Sequence, residues 1–222
     1  MNKKQFLMIG LLTVTCTCLK AQNDALPVYL DENQPIELRI KDALSRMTLE
    51  EKTRLSYAQG KFSSPGCPRL GIPELWMSDG PHGVRAEVNW NDWGYAGWTS
   101  DSCTAFPALT CLAASWNTEL AGKYGKAIGE EARYREKDVL LGPGVNIYRT
   151  PLNGRNFEYM GEDPYLAAEM CVPYIQGVQS NKVAVCVKHY ALNNQEVWRG
   201  HIDVQVSDRA LREIYLPAFQ AA

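Results

Sequence analysis

Residues 183–187 read Val-Ala-Val-Cys-Val, five apolar side chains in a row. A strand with one face in water alternates polar with apolar residues. A strand that is apolar throughout is covered on both faces, as in a parallel sheet flanked by helices. Two other brief, mainly apolar runs come earlier, at residues 73–77 and at Val139, Leu140 and Leu141, each closed by Gly/Pro-rich turn chemistry. Helical patterns separate the three. The order strand, helix, strand, helix, strand, helix predicts an α/β chain built on a parallel sheet.

The helices announce themselves by spacing and caps. Ile36, Ile40 and Leu44 recur every four residues and predict an amphipathic helix ending at Arg46. Thr48 with Glu51 forms a capping-box pattern that starts a second, short helix. Asn117 is an N-cap before Leu120, Tyr124, Ile128 and Ala132, which share one face of a long helix. Residues 162–180 read as helix, and Ser207 caps a last one running through Ala222. Residues 87–102 are an aromatic loop, with Trp90, Trp93, Tyr95 and Trp98 among Asn, Asp and Gly; it is either a lid on which a ligand stacks or a plug for one end of a core. Glu87, at its start, is expected in solvent.

A chain of 222 residues suffices for one domain with a sizeable core. Its net charge of -2, without a basic stripe, argues against nucleic acid as a partner, since phosphate demands clustered Lys and Arg. Lys3 and Lys4, the apolar residues 6–16 and Ala21 follow the order of a secretory signal over residues 1–21, too short to span a membrane. A buried N-terminal element is the alternative. Lipidation at Cys16 or Cys18 is disfavoured by the Thr-rich residues before them. Export to the periplasm or the exterior follows, with residues 22–35 as a polar linker or arm. Of the five remaining cysteines, Cys67 and Cys103 lie in loops and are candidates for a disulfide, whereas Cys111, Cys171 and Cys186 sit in apolar runs and are expected as buried thiols. No C-x-x-C spacing supports a zinc or redox site, and no cofactor or metal is implied.

Chemistry gathers where the strands stop. The first ends in Ser78-Asp79-Gly80-Pro81-His82-Gly83-Val84-Arg85, the second in residues 142–158, the third in Lys188-His189-Tyr190 and the residues that follow. In parallel α/β folds the loops at the C-terminal strand ends converge on one face. Asp79, Arg155, Lys188 and His189 therefore become candidates to meet there. Together they suit a sugar: a carboxylate accepts from neighbouring hydroxyls while Lys and Arg donate to the same oxygens. Mixed signs argue against phosphate. Simpler readings stand beside this one. Asp79 is good turn chemistry before Gly-Pro, and Arg155 is well placed to pair with Glu158 or Glu162. A Lys at the end of an apolar strand is harder to explain without a partner. His201 reads as surface, and His82 carries no assigned role.

The segments Pro68-Arg69-Leu70-Gly71-Ile72-Pro73, Ser78 to Arg85, Thr104-Ala105-Phe106-Pro107, Gly142-Pro143-Gly144-Val145-Asn146, Gly154-Arg155-Asn156-Phe157-Glu158, Glu162-Asp163-Pro164-Tyr165 and Val187-Lys188-His189 resemble, in content and order, the N-terminal domain of glycoside hydrolase family 3. The likeness covers residues 44–222 and is closest to β-glucosidases and β-xylosidases. The resemblance implies that residues 36–222 are the N-terminal part of a (β/α)8 TIM-type barrel, incomplete here. It implies an exo-acting, retaining glycosidase with a β-linked glucoside or oligosaccharide as partner. Carried over by motif, Asp79 holds the sugar of the first subsite, Arg155, Lys188 and His189 bind it too, and Arg85 supports them.

Retention needs a nucleophilic carboxylate and an acid/base carboxyl roughly 5 Å apart. In the family the nucleophile lies in a Ser-Asp-Trp segment after the Lys-His pair, and no such segment occurs before Ala222. Asn91-Asp92-Trp93 is similar but precedes the pair and is not assigned. The expectation is a sugar-binding half whose catalytic Asp and Glu lie beyond the chain end. A non-catalytic carbohydrate-binding module and β-xylosidase specificity are the alternatives. A family β-N-acetylglucosaminidase is disfavoured, because Ala191-Leu192-Asn193-Asn194-Gln195-Glu196 follows the Lys-His pair where those enzymes carry a Pro/Gly-rich, His-bearing loop.

Overall fold

The computed structural model describes residues 26–97 and 102–222, so the expected signal segment and Trp98 lie outside the described residues. The described residues fall into two units, one ending at Met47 and the other running from Thr48 to Ala222. The first holds a 3-10 turn, Val28–Leu30, and helix α1, Ile36–Arg46, at the bounds the apolar spacing predicts. From residue 26 onward, the segment expected as a linker is folded onto α1. The Tyr29 amide donates to the Asp42 carboxylate at 3.1 Å, and Arg39 Nε donates to the Tyr29 carbonyl at 3.2 Å. Its partners come from the helix that follows, which composition alone does not reveal.

The second unit opens with α2, Leu49–Arg54, under the expected capping box: the Thr48 amide donates to Glu51 Oε2 at 2.8 Å and the Glu51 amide to Thr48 Oγ1 at 3.2 Å. Four strands follow, β1 Ser63–Ser64, β2 Leu75–Asp79, β3 Val139–Leu141 and β4 Ala184–Val185, in the spatial order β1-β2-β3-β4. β1 runs antiparallel to β2; β2, β3 and β4 are parallel, with Asp79 in register with Leu141 and Leu140 with Val185. The fold is mixed α/β, as the sequence predicts. β2 reaches two residues beyond the predicted run, which makes Asp79 its last residue. β4 is shorter than predicted, and Ala184 is exposed rather than covered on both faces, because β4 is the edge of the described sheet. The ladder resumes past it as a bridge between Gly144 and Lys188.

Helices α3 Leu109–Ala114, α4 Thr118–Tyr134 and α5 Pro164–Gln179 connect the parallel strands. Asn117 caps α4 by accepting from the Leu120 amide at 2.9 Å, and Asp163 caps α5 through the Tyr165 amide at 2.8 Å. α4 and α5 meet closely enough that a Cβ on Gly177 would lie 2.4 Å from the Gly122 carbonyl. Leu109, Ile128, Leu140, Met170, Tyr174 and Val178 are fully buried in one cluster, each contributing roughly 1.5–3 kcal/mol. The core also reaches the site: Tyr174 Oη donates to the Pro81 carbonyl at 2.8 Å and so pins the turn directly after Asp79.

Three further expectations are corrected. The last helix is not continuous: Asp208–Ala210 passes into a π-turn, Leu211–Tyr215, before Pro217–Ala221. Pro217 has no amide to give and its ring crowds the carbonyl four residues back, so the ladder shifts and the Leu216 amide bonds Leu211 O instead. Cys67 is buried and Cys103 exposed, and both are free thiols; Cys111 and Cys186 are exposed, leaving Cys171 as the expected buried thiol. Glu87 is buried rather than solvated, because it forms an ion pair with Lys137, whose ammonium also lies 5.5 Å from the centre of the Trp76 ring.

Candidate functional site

The candidate site is built on three strand ends. Asp79 closes β2, the Arg155–Glu158 segment follows β3, and Lys188 and His189 follow β4. Lys188 Nζ donates to Asp79 Oδ1 at 2.6 Å and lies 3.2 Å from Glu158 Oε2. Lys188 and Glu158 are 8% and 7% exposed, whereas the Asp79 side chain keeps 26% of its surface open. A buried ammonium needs carboxylate partners, and this one has two. The more open of the two carboxylates is left to accept from something else.

Arg155 grips Glu158 with both arms, Nε to Oε1 at 2.6 Å and Nη2 to Oε2 at 2.9 Å. This is the bidentate geometry in which Arg outperforms Lys. It realises the simpler reading of Arg155 as a salt-bridge partner, and it also places the guanidinium beside Lys188. Burial pushes the Glu158 carboxyl up, but the Arg155 hydrogen bonds and the Lys188 charge outweigh it and hold the group below the usual carboxylate range. Glu158 is therefore an anion between two cations. Arg155 Nη1 also lies 3.6 Å from Glu196 Oε1.

His189 stands at the far side of this cluster. Its Nδ1 lies 2.8 Å from the Tyr159 hydroxyl; Asn193 Nδ2 lies 2.9 Å from that hydroxyl and 2.8 Å from Glu196 Oε1. Burial, with Arg155 and Lys188 close by, lowers the His189 pKa to about 4 and keeps the ring neutral at neutral pH. Asn193 is locked in turn by Asn146, whose Oδ1 accepts from the Asn193 amide and whose Nδ2 donates to its carbonyl, both at 3.0 Å.

The structure thus brings together all four residues singled out from sequence, Asp79 and Lys188 directly, Arg155 through Glu158, and His189 through Tyr159 and Asn193. Arg85 joins at the edge, its Nη1 3.7 Å from Asp79 Oδ2 and its guanidinium 5.4 Å from the Trp93 ring. A cleft of about 320 Å³ lined by Asp79, His82, Arg85, Cys103, Thr104 and Glu158 opens beside it. Among the described residues, the buried His82 Nδ1 has no hydrogen-bond partner, and the ring packs edge-on against Phe157. Sequence reasoning missed Glu158, Tyr159, Asn193 and Glu196 as members. Glu158 had a signal, as the partner proposed for Arg155; Tyr159 and Asn193 had none, because side-chain amides and phenols carry no spacing rule, and Glu196 meets Arg155 only across 41 positions of sequence. Among the described residues, no group of three or more His, Cys, Asp or Glu is arranged to hold a metal, and no helix is long and apolar enough to cross a membrane.

Residues 51–222 match the family described as the glycosyl hydrolase family 3 N-terminal domain. The chain belongs to glycoside hydrolase family 3. It is 89% identical over 196 residues to a β-glucosidase of Bacteroides ovatus, covering 88% of this chain and 26% of that protein. It is 46% identical over 178 residues to an exo-α-(1→6)-L-arabinopyranosidase of Bifidobacterium longum, covering 78% of this chain and 23% of that one. Among solved structures, β-glucosidase 3B of Thermotoga neapolitana in complex with glucose superposes with a TM-score of 0.74 at 42% identity, over 82% of this chain and 27% of that one. The chain therefore spans about a quarter of the length of these family 3 relatives.

Proposed function

We propose that this chain carries the sugar-binding half of a retaining, exo-acting β-glucosidase, exported by its N-terminal signal, and that its sheet is part of a (β/α)8-type barrel. The observation that carries the reading is the half-open Asp79 carboxylate, anchored by the buried Lys188 ammonium at 2.6 Å. Anchoring fixes the carboxylate's direction, and its remaining lone pairs are free to accept from neighbouring hydroxyls of a terminal sugar. Asp79, Arg155, Lys188 and His189 are assigned to that sugar, with Arg85 in support. None of Asp79, Glu158 or Glu196 is assigned as nucleophile, because each is held by cations that stabilise the carboxylate where it stands. The test is hydrolysis of nitrophenyl β-glucoside by the full-length protein, with the product anomer followed by NMR. Release of β-glucose first supports retention; the α-anomer overturns it, and no turnover overturns the enzyme reading in favour of a binding module.

The arabinopyranosidase relative favours a second reading of specificity, a pentopyranose in the same subsite. Asp79 needs only vicinal ring hydroxyls and does not itself demand a hydroxymethyl group. Turnover of nitrophenyl β-xyloside or α-L-arabinopyranoside faster than the β-glucoside selects that reading.

A further inference from the structure

We propose that Tyr159, held by Asn193, fixes His189 in the tautomer that carries its proton on Nε2, so that the imidazole meets a sugar hydroxyl as a hydrogen-bond donor. The sugar half of this statement rests on the function proposed above; the tautomer half rests on the hydrogen bonds alone.

The direction of each bond follows from its neighbour. Glu196 is ionised: burial pushes its carboxyl up, but the hydrogen bond from Asn193 and the charges of Arg155 and Arg199 hold it below the usual range. A carboxylate only accepts, so the Asn193 atom 2.8 Å away must be its NH2 group. The second hydrogen of that NH2 points to the Tyr159 oxygen at 2.9 Å, which therefore accepts. The hydroxyl proton of Tyr159 is then left for the atom 2.8 Å away, His189 Nδ1, which must be bare to receive it. Tyr159 is fully buried, and burial raises its own pKa, so the phenol is intact across the working range. With Nδ1 bare, the single proton of the neutral ring resides on Nε2, which forms no hydrogen bond within the described residues. The groups around the ring favour neutrality: Arg155, Lys188 and Arg199 oppose a further positive charge and outweigh Glu158, which favours one, and the Tyr159 ring meets the imidazole edge-on at 5.8 Å.

Tyr159 thus acts through His189 and is a positioning residue. Its phenol stabilises the bare Nδ1 and so resists protonation. Asn146 clamps the Asn193 backbone, accepting from its N–H and donating to its C=O, and so holds the residue between Glu196 and Tyr159; a rotated side-chain amide would present its oxygen to the Glu196 carboxylate, a repulsion that keeps the NH2 group facing it.

The experiment uses the full-length protein with selectively 15N-labelled histidine, the His189 signals being assigned by their loss in His189→Gln. At pH 7 the expected result is a bare Nδ1 and a protonated Nε2. A protonated Nδ1 overturns the inference without reference to any substrate. In Tyr159→Phe the two tautomers should both be populated, the acid limb of kcat/KM on nitrophenyl β-glucoside should move up by roughly one pH unit, and KM should rise about tenfold with kcat changed by less than about threefold. A Tyr159→Phe protein that melts earlier but keeps the tautomer and the pH profile of the parent shows a structural tyrosine and overturns the positioning role. If Tyr159→Phe does not fold, the tautomer in the unsubstituted protein still decides. If Nε2 is protonated as expected but no glycoside is turned over, the proposed function and the donor role fall while the tautomer assignment stands.

Discussion

Lys188 Nζ and Asp79 Oδ1 lie 2.6 Å apart across 109 positions of sequence, Asp79 at the end of β2 and Lys188 past the end of β4, strands that are not neighbours. β3 runs between β2 and β4, and the Lys188 backbone is bonded to the turn at its end, its amide donating to the Pro143 carbonyl at 3.0 Å. The contact exists only if β2, β3 and β4 are parallel and in register, so it couples the sheet to the site directly. Glu158, which follows β3, bonds the same ammonium from the third direction. One buried cation thereby fixes the relative positions of three strand ends.

Asp79→Ala in the full-length protein should lower kcat/KM on a β-glucoside by about a hundredfold or more. Two charge-assisted hydrogen bonds to sugar hydroxyls are worth roughly 1.5 kcal/mol each at the low end, and each 1.4 kcal/mol is about tenfold in rate. Lys188 keeps Glu158 as a partner at 3.2 Å, so the fold should survive. Kinetics with circular dichroism on the same preparations check this, and a loss under about tenfold in a folded variant makes Asp79 a turn residue.

Glu87→Ala should act on stability rather than on binding. Its carboxylate is buried against Lys137, and truncation leaves an ammonium in a low-dielectric site that already lowers its pKa. Breaking a buried pair by removing one partner costs about 3–5 kcal/mol. Replacing both residues, as Glu87→Gln with Lys137→Met, should recover much of that loss. Thermal melts of the single and double variants test it; a single variant that melts with the parent refutes the buried pair.

His189 should make stability fall on the acid side. Its folded pKa is about 4 against an ordinary value of 6.5. Between those values the unfolded chain binds a proton that the folded one refuses, so stability rises with pH there. The contribution is complete above about pH 6.5, is lost as pH falls towards 4, and changes no further below. Burial moves His82 in the same direction. Melting temperatures of the parent and of His189→Gln across that interval should differ in slope, the variant being flatter; parallel curves contradict the neutral buried ring.

Much of this was legible in the sequence for a physical reason. Apolar runs at Val139–Leu141 and 183–187 located two strands, although the second proved to be a short edge strand with Ala184 exposed, and Asn117, Thr48 and Ser207 located helix starts because orphan amides need local acceptors. Asp79, Arg155, Lys188 and His189 were found because they stand where parallel strands end. Glu87 was misread: it lies in a polar stretch, and only the return of the chain to Lys137, 50 positions on, buries it. Asn193 and Tyr159 were invisible for a similar reason, since a hydrogen-bond relay between residues 34 apart leaves no local pattern. The glycines of the turn after β3 were read as turn residues, whereas at Gly144 the structure gives another cause.

Gly144→Ala is expected to damage the site from a position that touches no sugar. Gly144 bridges Lys188 in the ladder, and a Cβ built there would lie 2.2 Å from the Glu158 carbonyl oxygen and 2.9 Å from Tyr159 Cδ1. No real Cβ tolerates 2.2 Å to backbone, and the Glu158 carbonyl is not the end of a flexible side chain that swings aside. Either the Glu158–Tyr159 backbone retreats or β3 loses its bridge to Lys188. In the first case the Arg155–Glu158–Lys188 arrangement and the Tyr159–His189 bond shift together; in the second Lys188 leaves Asp79. A misplacement of about 1 Å costs on the order of a hundredfold in rate, and overpacking costs roughly 1–3 kcal/mol of stability. The variant should therefore melt a few degrees early yet lose far more kcat/KM than that destabilisation explains. Gly161→Ala is the control, since it has nothing within 4 Å and strains only its own backbone at φ +124; it should lose stability without a comparable loss of activity. Equal losses of activity in the two variants would mean that the close approach at Gly144 does not govern the site.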